Sequence, residues 1–251
     1  MGRLGAAAIV GLIALAGQGA AASAAEIRVL CTGAARGAYE ELGPRFERAS
    51  GHRLVTQYGL PPALIAKIDA GEPYDVVLLS LDVAGLIEQG KVVANSRTVL
   101  GRIGVGVAIH TGAPKPDFST VEAFKRALLN AKSIATSGEG SSGRYVATLL
   151  ERLGIAEQVK PKIRSGPSGY AGQLLSRGEV DFVVSGIPPL VGVPNVEWLG
   201  YLPAEINSWL LFTGGVSSTA KEADAGRAFL HYLTTPAAVA VFKAKGLETA
   251  P

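Results

Sequence analysis

Residues Thr136–Leu150 read TSGEGSSGRYVATLL, with Gly138, Gly140 and Gly143 spelling G-x-G-x-x-G where the apolar strand KSIATS runs into the helix GRYVATLLERLG. That spelling belongs to dinucleotide-binding turns, where glycines let a pyrophosphate approach the backbone at a helix N-terminus. Such a fold makes a second demand, an acidic residue about 20 positions on, at the end of the next strand, to hold a ribose hydroxyl. Here that strand is VKPKIRS, which is basic and ends at Ser165. Nor does a Lys-Ser or Lys-Thr pair follow the last glycine, so the turn is not a P-loop. What remains is an anion-holding turn: bared N–H groups around Gly143, the hydroxyls of Ser137, Ser141 and Ser142, and the positive end of a helix. Arg144 adds a guanidinium fork suited to carboxylate or oxyanion oxygens. The plain alternative is a Gly/Ser helix entry with a solvated arginine.

Outward from this turn the chain alternates strands and helices, which predicts an α/β protein. IRVLCT is followed by a helix over Arg36–Ser50 that Gly51 stops, HRLVTQYG by a helix entered through Pro61 and Pro62, and DVVLLS by a helix over Leu81–Gln89. The unbroken apolar run of DVVLLS marks a central strand covered on both faces. A second α/β unit holds the helix capped by Thr120, the opening turn, a helix over Tyr170–Ser176 and the strand VDFVVSG. Between the units lie two long strands, RIGVGVAIH and NSWLLFTGGV, and two helices, Glu222–Leu233 and Pro236–Lys245, close the chain. Two strands that leave one unit and later return are what a hinged, two-lobe protein needs. The expected lobes are 26–105 with 216–251, and 106–215.

The first 25 residues, with one cation at Arg3, an apolar run over Leu4–Gly17 and small residues up to Ala25, read as a cleavable secretory signal. No later run approaches the apolar length of a membrane span, which predicts an exported, periplasmic protein with no membrane insertion once the signal is removed. A formal net charge of +3, one less without Arg3, does not describe a nucleic-acid binder. The lone Cys31 has no partner for an internal disulfide.

A second turn of similar chemistry follows the first strand, where Thr32, Gly33, Ala34 and Arg36 stand at the carboxyl end of a strand and the mouth of a helix. Ligands of open α/β sheets bind in that crevice. Tyr58 and Gly59 after the second strand, and Ser185 and Gly186 after the late one, lie at equivalent strand ends and join the candidates, each also explicable as a simple turn. His52, His110 and His231 lack metal-ligand spacing, no G-x-S-x-G elbow is present, and Glu40 and Glu41 read as a solvated helix face. Nothing here calls for a metal or an organic cofactor.

The segments EIRVLCTGAARGAYEEL, IDAGEPYDVVLLS, SGEGSSGRYVATLLERLG and YLTTPAAVAVFKAKGLE together resemble the periplasmic molybdate-binding proteins of the type II solute-binding superfamily, over essentially the whole mature chain. The resemblance implies two α/β lobes closing on a small anion that is then passed to the membrane subunits of an ABC-type transporter. The ligand positions depart from the molybdate pattern: Ala34 stands for a serine, Leu60, Pro61 and Pro62 for a serine-rich turn, and Gly186 for a tyrosine. The chain is closer to a branch with a glycine-rich first turn, here TGAARGAY, and an SSGRY turn, which includes an aconitate isomerase. On that branch Arg36 and Arg144 suit carboxylates. The expectation is therefore an anion-binding protein whose ligand is an organic carboxylate or a molybdate-like oxyanion. An isomerase of the aconitate type, using Tyr58, Tyr145, Tyr170 or Glu139, and a ligand sensor are the alternatives.

Overall fold

The computed structural model describes residues 24–167 and 169–249, so the segment read as a signal lies outside the described residues except for Ala24 and Ala25. Six strands and helices alternate first: β1 (Glu26–Thr32), α1 (Arg36–Ser50), β2 (Arg53–Gly59), α2 (Pro61–Asp69), β3 (Val76–Leu79) and α3 (Ala84–Glu88). β4 (Thr98–His110) leads to α4 (Val121–Asn130), β5 (Ile134–Thr136), α5 (Ser141–Arg152), α6 (Ala156–Val159), β6 (Ile163–Ser165), α7 (Tyr170–Ser176), β7 (Phe182–Gly186) and β8 (Val196–Tyr201). β9 (Trp209–Val216), α8 (Ala223–Leu233) and α9 (Pro236–Ala244) close the chain. The helix boundaries follow local chemistry. Thr120 accepts the Ala123 N–H at the start of α4, and Thr235 does the same for Ala238 at the start of α9, where Pro236 fills the first helical position.

The strands run in the order β2-β1-β3-β9-β4-β7-β5-β6, with β8 also paired to β4. β2, β1 and β3 are mutually parallel, and β9 lies antiparallel between β3 and β4. β4 changes partners along its length. Thr98–Gly104 pairs with β9, whereas Val105–Ile109 pairs with β7 and Gly106–His110 with β8. One long strand therefore belongs to both sheets, as a crossing strand must. β9 pairs with β4 from Trp209 and with β3 from Thr213.

Each sheet is covered on both faces, so inner strands such as β3 and β7 are buried throughout, whereas the edge strands β2 and β6 are not. On the first, α1, α8 and α9 bury Phe46, Phe229 and Phe242 on one side, and α2 and α3 bury Leu64, Ile68 and Leu86 on the other. On the second, Phe124, Leu128 and Leu149 of α4 and α5 lie opposite Leu174 and Leu175 of α7. The two units also share a staple. Asp75 Oδ2 accepts the Arg28 N–H at 2.8 Å while the Asp75 N–H donates to Arg28 O at 2.8 Å. Asp181 makes the same exchange with Ser133, at 3.3 and 3.1 Å. Asp75 Oδ1 additionally accepts the N–H groups of Lys221 and Glu222, tying the entry of α8 to the first sheet.

Candidate functional site

The carboxyl ends of β1, β3, β5 and β7 bring Thr32, Ser80, Ser137 and Gly186 to one place between the two sheets. They line an inner cavity of about 30 Å³ together with Gly140, Ser141 and Ser142 of the opening turn, Leu60 and Pro61 at the mouth of α2, and Ile103 and Leu210 of the crossing strands. Its polar surface is a run of hydroxyls. Thr32 Oγ1 lies 3.3 Å from Ser80 Oγ, and Ser80 Oγ lies 3.1 Å from Ser141 Oγ, which carries the run from the first unit to the second. Ser137 and Ser142 share a hydrogen bond of 2.7 Å, with Ser185 behind them at 3.5 Å from Ser142. No charged side chain lines this cavity among the described residues. Neutral hydroxyls and the N-terminal N–H groups of α5 are the groups that hold an anion without a formal counter-charge.

The turn owes its spelling to packing. Gly138 sits at φ 53°, in the left-handed region. A Cβ on Gly143 would meet Gly138 O at 2.0 Å, so the first turn of α5 lies directly on the backbone of the preceding loop. That contact presses Ser142 against Ser137. The G-x-G-x-x-G pattern here thus builds a hydroxyl-lined helix start, with no ribose acid required.

Past Ala34, Leu60 and Pro189, which line both spaces, the inner cavity adjoins an outer cleft of about 370 Å³. Gly33, Arg36, Glu40, Tyr58 and Gly59 border it on one side, and Pro167, Gly169, Pro188 and Val191 on the other. Arg36 Nε donates to Glu40 Oε1 at 2.8 Å, and its guanidinium carbon lies 4.5 Å from the centre of the Tyr58 ring. Burial pushes the Tyr58 phenol well above its ordinary value, so it faces the cleft as a neutral hydroxyl. Beneath, burial raises the Cys31 thiol in the same way, and it is a packing residue.

Of the residues singled out in the sequence, Thr32, Gly33, Ala34, Arg36, Tyr58, Gly59, Ser137, Ser141, Ser142 and Gly186 line one of these two spaces. Four do not. Ser185 is buried behind Ser142, and Gly143 packs on Gly138. The Tyr145 hydroxyl donates to Ile206 O, which turns it into the second core. Arg144 is exposed on the same side of α5 as Ala147 and Thr148, three and four positions on, and lines neither space. The cause is that α5 starts at Ser141, two residues before the predicted Gly143, so the Arg144 N–H already donates within the helix to Gly140 O. The residue missed is Ser80. It ends a buried strand as Thr32 does, and that position was its signal.

A family model described as bacterial extracellular solute-binding protein matches residues 27–248. The chain belongs to that family. Among relatives of this solute-binding protein, the aconitate isomerase of a Pseudomonas species is 31% identical over 234 residues, covering 90% of this chain and 88% of that one. The molybdate-binding protein ModA of Azotobacter vinelandii is 28% identical over 239 residues, 90% of this chain and 91% of that one. Among solved structures, the periplasmic molybdate-binding protein of Azotobacter vinelandii superposes with a TM-score of 0.74 at 20% identity, over 90% of this chain and all of that one (100%). The sulfate-binding protein SubI of Mycobacterium tuberculosis gives 0.71 at 17%, over 89% and 86%. The solute-binding protein therefore has the type II periplasmic binding protein fold, and it is related in sequence to molybdate-binding proteins. No helix among the described residues is long and apolar enough to cross a membrane.

Proposed function

We propose that this chain is a periplasmic solute-binding protein that holds a small organic carboxylate between its two lobes and delivers it to the membrane subunits of an ABC-type transporter. The observation that carries this is the hydroxyl run Thr32–Ser80–Ser141 at the start of α5, opening onto a larger cleft rimmed by Arg36. The inner space is small and lined by neutral hydroxyls, and Arg36 at the rim of the adjoining cleft supplies a fork that suits a carboxylate. The adjoining 370 Å³ lies within the range of small-ligand sites and accommodates a carbon skeleton. Binding shifts the protein to a closed form by contacting both lobes at once, and no bond is broken.

The 31% identity to an aconitate isomerase favours a second reading, proton transfer within a bound tricarboxylate. That chemistry needs a base and a donor in reach of the substrate. Among the residues lining the two spaces, the groups available are Glu40, engaged by Arg36, and Tyr58, whose phenol burial holds in the neutral form. Binding is the better fit to this pair.

The test is thermal unfolding of the mature protein against molybdate, tungstate, sulfate, phosphate, citrate, and cis- and trans-aconitate. Proton NMR in D2O would follow both aconitates. A carboxylate at 100 times its Kd stabilises by about 2.7 kcal/mol. Stabilisation by molybdate or tungstate alone would overturn the carboxylate assignment, and turnover of an aconitate would replace binding with isomerisation.

A further inference from the structure

Arg36 is the first residue of α1, at the rim of the outer cleft. Helix stability argues against a cation there, because the N-terminal end of the helix macrodipole is already positive. The i,i+4 pair it forms with Glu40 also runs in the less favourable order, cation before acid. Both partners are exposed, with side-chain accessibilities of 60% and 57%, and such pairs hold weakly. What the placement does achieve is a guanidinium at the mouth of the cleft. Its guanidinium carbon lies over the Tyr58 ring, and its one ion-pair contact among the described residues is made through Nε. A second pair on the same helix, Arg45 with Glu41, has the helix-stabilising order and lies outside both spaces.

From these observations we infer that Arg36 is a second carboxylate subsite, that Glu40 occupies it until the ligand arrives, and that the cleft selects di- and tricarboxylates over monocarboxylates. The inference rests on the carboxylate assignment made above. One ligand carboxylate takes the hydroxyls of the inner cavity, the carbon chain passes the apolar neck of Ala34, Leu60 and Pro189, and the second carboxylate displaces Glu40 from Arg36. A planar guanidinium fixed against an aromatic face presents its donors in a fork that a carboxylate matches. Glu40 keeps the cation neutralised while the subsite is empty. It thereby competes with every ligand for which Arg36 is the second contact.

The experiment is isothermal titration of the full-length mature protein with succinate, propane-1,2,3-tricarboxylate and butyrate. The wild type binds the first two more tightly than butyrate. Arg36→Ala lowers the succinate-to-butyrate affinity ratio about tenfold, the low end for losing a charged hydrogen-bond partner. Glu40→Gln moves succinate the other way, tightening it about twofold by removing the exposed competitor. Arg45→Ala leaves the ratio unchanged, and thermal melts of the variants confirm that each is folded. A role confined to helix stability does not produce opposite signs for the two members of one pair. An unchanged ratio in Arg36→Ala, or weaker succinate binding in Glu40→Gln, overturns the subsite while leaving carboxylate binding intact. If no carboxylate binds and an inorganic oxyanion does, the ligand assignment falls and the subsite with it.

Discussion

Gly143→Ala adds one methyl group at the point where α5 rests on its own entry loop. The new Cβ would lie 2.0 Å from Gly138 O and 2.8 Å from both Gly138 C and Gly138 N, and all three are backbone atoms with no rotamer to change. Relief to the closest tolerable separation of about 3.0 Å requires the first turn and the loop to part by about 1 Å. Overpacking of this kind costs about 1–3 kcal/mol. The same displacement carries Ser142 away from Ser137, whose hydroxyls are 2.7 Å apart, and stretches that bond beyond hydrogen-bonding range. The substitution should therefore lower stability and weaken by about tenfold the binding of whichever carboxylate stabilises the wild type. Gly85→Ala is the matched control. It places the same methyl inside α3 with nothing within 4 Å, so it should stabilise by about 0.5–1 kcal/mol and leave binding alone. Urea unfolding gives both stabilities and isothermal titration the affinities. Wild-type affinity in Gly143→Ala would show that the start of α5 is not part of the site, and the account of the turn given above would be wrong.

The two aspartate staples make a paired prediction. Asp75→Ala strands the N–H groups of Arg28, Lys221 and Glu222 around a residue that is 3% exposed, a loss of about 3–5 kcal/mol. Asp181→Ala frees the N–H groups of Lys132 and Ser133 at an exposed position and should cost under about 1 kcal/mol by urea unfolding, so similar losses would refute the role of burial. Arg97 makes two hydrogen bonds to Asp82, two residues after Ser80, and holds that carboxyl below its ordinary value of 3.8. A depressed carboxyl stabilises the fold above its unfolded pKa and ceases to as the pH falls through the folded one. The melting difference between wild type and Arg97→Ala, about 0.5 kcal/mol at neutral pH for so exposed a pair, should vanish as the pH is taken below 3.8, and a difference that persists there would assign it to packing.

Elements with a local cause were legible in the sequence. α1 spans Arg36–Ser50 as read, because an apolar face and the left-handed Gly51 after it are both short-range signals. The crossing strand was legible as the long Val/Ile run RIGVGVAIH, although β4 starts four residues earlier, at Thr98. β8 was not: all six residues of VEWLGY are half-buried, so the alternation that marks a strand is absent, and a register shift in its ladder at Val107/Ala108 breaks it further. Ser80 was hidden for another reason. Its chemistry arises from Ser141, 61 residues away, and a serine after an apolar run reads as a strand end until the second unit is folded against it. Arg144 differs in the opposite sense: α5 starts two residues earlier than read, and Arg144 lies exposed on it, outside both spaces.

On the proposed function, the position of the inner cavity accounts for how a weakly charged site would drive closure. Ile103 and Leu210 line it, and they are direct neighbours across the β4–β9 ladder. The next residues of β4, Gly104 and Val105, are where the strand leaves one sheet for the other. Ser80 is fixed from the same direction, since Thr213 of β9 donates to Leu81 O and accepts the Val83 N–H. On that reading a ligand in the hydroxyl pocket would rest on the Ile103–Leu210 rung, next to where β4 passes from one sheet to the other, with Ser80 and Ser141 on either side. Only contacts that differ between open and closed forms shift the balance between them. The Ser80–Ser141 hydroxyl pair is such a contact, because it exists only when the units meet. An anion that accepts from both hydroxyls replaces one weak bond between neutral groups with two charge-assisted ones, and that surplus favours the closed form.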